Sequence, residues 1–190
     1  MISIDSLIFF FKMSLRKLIT TVQTVWEVPR DNVVKEVIGP GFAGSQEVLI
    51  MAGFYAASGI REIAQGLSVL IASRGGKVKI ICSEYIHQND IPSEQSWAIA
   101  EEVGKRLLID SGQLEDALLR YTRECISYLV RESRIEIKVA IPKNGIFHKK
   151  VFLFINENEG AVVMGSANFS IGGLKHNAEA MILGKTWDGE

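Results

Sequence analysis

The chain has 190 residues, of which 47% are hydrophobic and 23% charged. These are globular proportions for one domain with a proper core, and they exclude an intrinsically disordered chain, a collagen-like repeat and a coiled coil. With 21 Lys or Arg against 22 Asp or Glu the net charge is -1, which argues against a basic nucleic-acid coat protein but not against a local basic site, because phosphate contacts depend on the local field.

Ile2 to Phe11 is an apolar run centred on Leu7 to Phe11. It has roughly half of the ~20 residues that a membrane-spanning helix needs. It contains Asp5, and the basic residues Lys12, Arg16 and Lys17 follow it, the reverse of a secretory signal. It reads as a short packed element, or as sequence ahead of a true start at Met13. Residues 1–44 are expected to form an N-terminal helical lead-in, and 45–190 one domain. Gly39-Pro40-Gly41-Phe42-Ala43-Gly44 matches the Gly-x-Gly-x-x-Gly pattern of dinucleotide binders. That pattern works only after a strand and at a helix start; here it precedes a strand, and Pro40 removes a donor. A flexible loop is expected.

Val48 to Ala52 reads as a buried strand. Ser58 is placed to cap a helix from Gly59 to Ser73, with Ile60, Ile63, Ala64, Leu67, Leu70 and Ile71 on its apolar face. Gly75-Gly76 ends it, and Lys77 to Cys82 forms the next strand. Strand, helix and strand in that order predict a right-handed unit with a parallel strand pair. Ser93 to Leu108 and Leu114 to Val130 carry helical spacing, separated by Ser111-Gly112. Arg134 to Ile141 alternates as a strand, and Pro142-Lys143-Asn144-Gly145 is a turn. Strands are expected at His148 to Ile155, Ala161 to Asn168 and Ala178 to Leu183, with loops at Asn156 to Gly160 and Gly172-Gly173. The architecture is α/β, a mixed β-sheet flanked by helices on both faces. Cys82 and Cys125 lack zinc-finger spacing; two reduced core thiols are expected, which points to the cytoplasm. The end, Lys185 to Glu190, does not resemble a closing element, so this could be the front of a longer protein.

The informative stretch is 147–183. In a strand, residues two apart share a face, so His148 goes with Lys150 and Ser166 with Asn168. A hairpin pairing His148 with Asn168 also pairs Lys150 with Ser166 and centres its loop on Asn158. Phe152, Phe154, Val162 and Met164 then share that face, leaving a polar island at the end of an apolar surface. Lys supplies positive charge, Ser and Asn supply donors, and His is a nucleophile or acid-base near neutral pH. Glu179 can hold a His ring and favour its charged form. The chemistry is phosphate handling. With no carboxylate cluster for magnesium, no metal and no cofactor are expected.

His148, Lys150, Gly165, Ser166 and Asn168 resemble the phospholipase D superfamily signature, His-x-Lys followed by Gly-Ser-x-Asn. Ile155 stands where the family has an Asp, and the Gly-Ser step comes three residues later than usual. Phe147-His148-Lys149-Lys150, the run from Gly165 to Ser170, and Glu179 are most similar to the branch of small bacterial nucleases and metal-independent restriction endonucleases. The likeness covers about 45–185 as a fold and 147–183 as a motif. It implies that a His attacks phosphorus to form a phosphohistidine, and that a second His protonates the leaving oxygen. One motif is present, since His87 and His176 lack a Lys two residues later. The resemblance therefore implies a homodimer with the active site at its interface. It assigns His148 as nucleophile and its copy as general acid, Lys150, Ser166 and Asn168 to the phosphate oxygens, and Glu179 to orienting His148. Phe54 and Tyr55 end the first strand, where such proteins line the substrate cleft; core packing is the rival reading for both. Lys143, Lys149 and Lys175 form a basic rim for a nucleic-acid backbone or a solvated face.

Three functions follow. The first is a DNA-cleaving phosphodiesterase, DNA ahead of RNA, serving as the nuclease part of a restriction or helicase-linked defence system, with a helicase or DNA-reading domain after Glu190. The second is a phospholipid-acting phosphodiesterase, against which stand the single motif and the lack of a membrane anchor. The third is a non-catalytic nucleic-acid-binding domain of the same fold.

Overall fold

The computed structural model describes residues 13–83 and 125–188. The apolar start, the helix expected at 93–108, most of that at 114–130, His87 and Trp97 lie outside them.

One seven-stranded mixed sheet organises the chain. Its strands are β1 (Val25–Val28), β2 (Glu47–Ala52), β3 (Lys77–Cys82), β4 (Ile135–Val139), β5 (Val151–Asn156), β6 (Glu159–Gly165) and β7 (Glu179–Lys185), in the order β1-β7-β6-β5-β2-β3-β4. β2, β3 and β4 run parallel, and β5, β6, β7 and β1 are added antiparallel. The helices are α1 (Leu15–Leu18), α2 (Gly39–Gly44, entered through a π-helical turn Val34–Ile38), α3 (Ala57–Glu62), α4 (Ala64–Arg74) and α5 (residues 125–131). The predicted unit of strand, helix and parallel strand is present as β2, α3, α4 and β3.

Strand alternation gives the sheet a fully buried face: Val78 and Ile80, Val48 and Ile50, Phe152 and Phe154, Ala161 and Val163, Met181 and Leu183, and Trp26. At about 25 cal/mol per Å2 of apolar surface removed from water, this face is the main source of stability. α2 seals it, with the Phe42 ring edge-on to Phe154 at 5.9 Å. Trp26 keeps its indole N–H satisfied by donating to Glu36 Oε2 at 3.0 Å.

Several expectations are corrected. Residues 39–44 are a buried helix rather than a flexible loop, because packing on Phe154 outweighs the poor helix propensity of glycine. The lead-in contributes a strand, β1, paired with β7. The single helix from Gly59 breaks at Ile63 into two. Ser58 lies inside α3, and its hydroxyl accepts from the Ile171 N–H at 3.3 Å instead of capping. Ala64 faces solvent, while Val69 is buried. Neither cysteine forms a disulfide, but only Cys82 is in the core; Cys125 is exposed.

The hairpin register is also shifted. β5 and β6 pair Val151 with Met164 and Asn156 with Glu159. The loop is thus the two residues Glu157 and Asn158, with Glu157 at φ 50°; two-residue loops with a left-handed position match the twist of paired strands. Phe152 and Phe154 share their face with Ala161 and Val163. Val162 and Met164 point to the other face, and Lys150 lies across from Gly165 rather than Ser166.

Candidate active site

The antiparallel half of the sheet brings four chain segments to one end. β2 finishes there into Gly53–Phe54, and β6 finishes there into Ser166–Asn168. β5 begins there just after His148–Lys150, and β7 begins there at Glu179.

Lys150 is 7% exposed, whereas His148 is exposed. The Lys150 Nζ contacts His148 Nε2 at 2.8 Å and donates to the His148 carbonyl oxygen at 3.2 Å. An ammonium group has only donors, so a charged Lys150 makes this contact with the imidazole tautomer whose Nε2 lone pair accepts and whose proton sits on Nδ1. Burial pushes the Lys150 ammonium below the ordinary lysine value, and the Glu179 carboxylate pulls the other way. Gly165, with no side chain, lies between Lys150 and β7. A Cβ there would overlap the Ala180 carbonyl oxygen and stand 2.8 Å from Met181 Cα.

Asn168 is fixed by backbone from the other half of the site. Its Oδ1 accepts from the Phe54 N–H at 2.9 Å. The Phe169 N–H donates to the Phe54 carbonyl at 3.2 Å, and the Ala56 N–H to the Phe169 carbonyl at 3.0 Å. With its oxygen taken, Asn168 has its amide N–H groups left to offer a ligand. The Ser166 hydroxyl accepts from the Ala180 N–H at 3.1 Å and keeps its own proton to donate. Gly53 closes the floor: a Cβ on it would lie 3.1 Å from His148 Cδ2 and 3.3 Å from Lys150 Nζ.

The remaining candidates divide. Glu179 receives a hydrogen bond from Asn177 Nδ2 at 3.4 Å; among the described residues its side chain bonds Asn177 rather than His148, and it acts on Lys150 through its field. Lys149 is exposed beside His148, and Lys143 is exposed in the preceding turn. Lys175, in a π-helical turn at Gly172–His176, is ion-paired with Glu62. A cavity of about 390 Å3 between Lys35, Glu62 and Lys175 is lined by the α2–α4 side of the fold, not by His148 or Lys150. Tyr55 is 2% exposed and packs on Phe169 at 5.6 Å. It is a core residue, which corrects its expected place in the cleft. Among the described residues its hydroxyl has no hydrogen-bond partner, and burial pushes its pKa up. Phe54 is the member of that pair left 53% exposed.

Ile155 stands five residues beyond Lys150 on the opposite face of β5, roughly 17 Å along the strand at 3.3 Å per residue. A carboxylate there would not reach the polar cluster. Gly53 and the Phe54 N–H were not predicted as site groups. A glycine after a strand and a backbone N–H carry no sequence signal of their own. Among the described residues no group of three or more His, Cys, Asp or Glu side chains could hold a metal ion. No helix of those residues is long and apolar enough to cross a membrane.

The family described as cardiolipin synthase, PLD-like domain, matches residues 42–188. NucT from Helicobacter pylori is similar in structure, with a TM-score of 0.50 at 20% identity over 85% of this chain and 83% of that one. Polyphosphate kinase from Porphyromonas gingivalis aligns at a TM-score of 0.46 and 16% identity, over 84% of this chain and 20% of that one. For yeast tyrosyl-DNA phosphodiesterase 1 the values are 0.40 and 10%, over 73% and 25%. A search of curated proteins gave no match.

Proposed function

The chain belongs to the family of phospholipase D-like domains, and from that premise we propose that it is a metal-independent phosphodiesterase cleaving nucleic acid, DNA ahead of RNA. The observation that carries the reading is the 2.8 Å contact of Lys150 Nζ with His148 Nε2. It puts a nucleophilic lone pair and a fixed positive charge at one point, beside the amide N–H groups of Asn168. The positive charge that a phosphate requires thus comes from the chain itself.

A bound phosphodiester draws the Lys150 ammonium from Nε2 to a non-bridging oxygen, and Asn168 and Ser166 donate to the others. Nε2, released, attacks phosphorus. An N–P bond forms, the P–O bond to the leaving nucleotide breaks, and that oxygen takes a proton from His148 of a second copy. The second His then removes a proton from water. The water oxygen attacks phosphorus, the P–N bond breaks, and His148 is restored. A homodimer with the site at its interface supplies the second His. Glu179 holds the charge of the Lys150–His148 pair in place, and Lys143 and Lys149 follow the nucleic-acid backbone. Lys175 joins them where it exchanges Glu62 for phosphate. The setting proposed is the nuclease part of a cytoplasmic restriction or helicase-linked defence system, with sequence choice supplied by another domain.

Cleavage of plasmid and single-stranded DNA in excess EDTA tests this, with His148→Ala alongside. The expected result is cleavage by the parent only, with an acid-labile, base-stable phosphate on His148. Cleavage that needs magnesium and survives in His148→Ala would overturn it.

A further inference from the structure

We propose that the Phe54 ring is a stacking platform for the nucleobase next to the bound phosphate, and that it makes an unpaired strand the preferred substrate. The inference rests on the nucleic-acid reading above. Phe54 is 53% exposed, while Ala52, two residues before it, and Tyr55, one after it, are 1% and 2% exposed. The ring is nevertheless rigidly mounted, because both backbone polar groups of Phe54 are committed to the phosphate side of the site. Its N–H goes to Asn168 Oδ1, and its carbonyl accepts from the Phe169 N–H.

A Cβ added to the adjoining Gly53 would lie 3.1 Å from His148 Cδ2 and 3.3 Å from Lys150 Nζ. Phe54 thus follows directly on the residue packed beside the nucleophile, about 3.8 Å away between successive Cα atoms. A base attached to the phosphate at His148, or to its neighbour, falls within reach of the ring. Ile146, 57% exposed and two residues before His148, adds apolar rim, and Lys149 adds charge for the next phosphate. An exposed ring on a fixed backbone, beside a phosphate site with lysines, is the combination that binds single strands through stacking and electrostatics. In a duplex both faces of each base are already stacked, so the ring gains nothing there.

The test uses the full chain and compares Phe54→Leu and Phe54→Trp with the parent. Both variants keep the backbone N–H that holds Asn168, and an unchanged melting temperature confirms the mount. Binding is read by fluorescence anisotropy and turnover by cleavage in EDTA. The probes are a single-stranded oligonucleotide, its duplex, and the same single strand with abasic positions around the cleaved phosphate. Phe54→Leu is expected to weaken single-strand binding about ten-fold. Phe54→Trp should match or exceed the parent, and duplex binding should be unchanged. The abasic strand should bind the parent and Phe54→Leu alike, because the partner of the ring is gone. Equal affinity of parent and Phe54→Leu for the single strand, or equal losses on single strand and duplex, would overturn the proposal. So would Phe54-dependent binding to phosphatidylglycerol vesicles with none to the oligonucleotide. Phe54-dependent binding of the single strand without cleavage would leave this inference standing while the catalytic reading fails.

Discussion

Two glycine-to-alanine variants should separate function from fold. At Gly53 an added Cβ meets His148 Cδ2 at 3.1 Å, His148 Cα at 3.3 Å and Lys150 Nζ at 3.3 Å. Carbon pairs settle at about 3.5–4.0 Å, so the His148 ring must retreat by about 0.4 Å or more and the other two groups by about 0.2 Å or more. The ring and Nζ can do so cheaply, since the His148 ring is exposed and Nζ is the far end of a flexible chain; the His148 backbone, which lies outside any strand, has to give by a few tenths of an ångström. Gly53 has no positive φ, and Ala loses less entropy on folding, which offsets about 0.4–1 kcal/mol. The net stability change should stay under about 1 kcal/mol, or about 2–4 °C in melting temperature for a chain of this size. Catalytic groups tolerate less, because a misplacement of about 1 Å costs about 100-fold. Turnover should therefore fall by about 10- to 100-fold. At Gly165 the added Cβ meets the Ala180 carbonyl oxygen and Met181 Cα, both β7 backbone that cannot retreat without opening the β6–β7 ladder. The loss there should be about 3 kcal/mol or more. Thermal melts and cleavage in EDTA, run on both variants, decide the matter. If Gly53→Ala melts as far below the parent as Gly165→Ala, or keeps parental turnover, the placement of Gly53 under the nucleophile is wrong.

Asn168→Asp keeps the oxygen that accepts from Phe54 but replaces the amide donors with negative charge; the melting temperature should hold within a few degrees while phosphate affinity falls about 100-fold or more, read by oligonucleotide anisotropy. Ile155→Asp, which restores the family's residue, should not raise turnover, because the position faces away from the site; it should lower stability by about 1–2 kcal/mol, since it sets a carboxylate opposite Glu47. Lys150 has a folded-state pKa below the ordinary 10.5. Below that folded value both states carry the proton and the burial penalty is fully present; between it and 10.5 the unfolded chain binds more protons, so stability rises with pH. Denaturant melts across this window should show the rise in the parent and not in Lys150→Met.

The sheet was legible where burial imposed a period on enough residues. β2, β3 and the alternating stretch from Ile135 show their pattern over five or six positions, and the order strand, helix, strand fixes a parallel pair. β1 escaped because Val25–Val28 spans only four residues, two of them facing out, too few for a period. The helix at 39–44 escaped for the opposite reason. Its sequence argues against a helix, and only contact with Phe154 and α4 selects one. Whether the hairpin loop holds two residues or three depends on the backbone at Glu157, and that one residue decides which strand face each side chain takes.

The polar residues of the site fall just outside the strands, where alternation no longer assigns a face. Alternation in the expected register grouped His148, Lys150, Ser166 and Asn168, but that register is not the one adopted. They meet because antiparallel neighbours β5 and β6 must start and finish at the same sheet end, whatever the offset between them. The shift by one residue has a chemical consequence. It sets Gly165, not Ser166, across from Lys150, so no side chain stands on β6 between the ammonium and the strand that begins with Glu179. Ser166 is left to bond the Ala180 N–H. The other half of the site comes from Gly53 and Phe54, more than 90 residues before His148 in the chain, through a single parallel bridge between Tyr55 and Phe169. That bridge explains the burial of Tyr55: its ring packs on Phe169 to hold the loop whose N–H fixes Asn168. The residue mistaken for a substrate contact supports, through the backbone, the exposed Phe54 beside it.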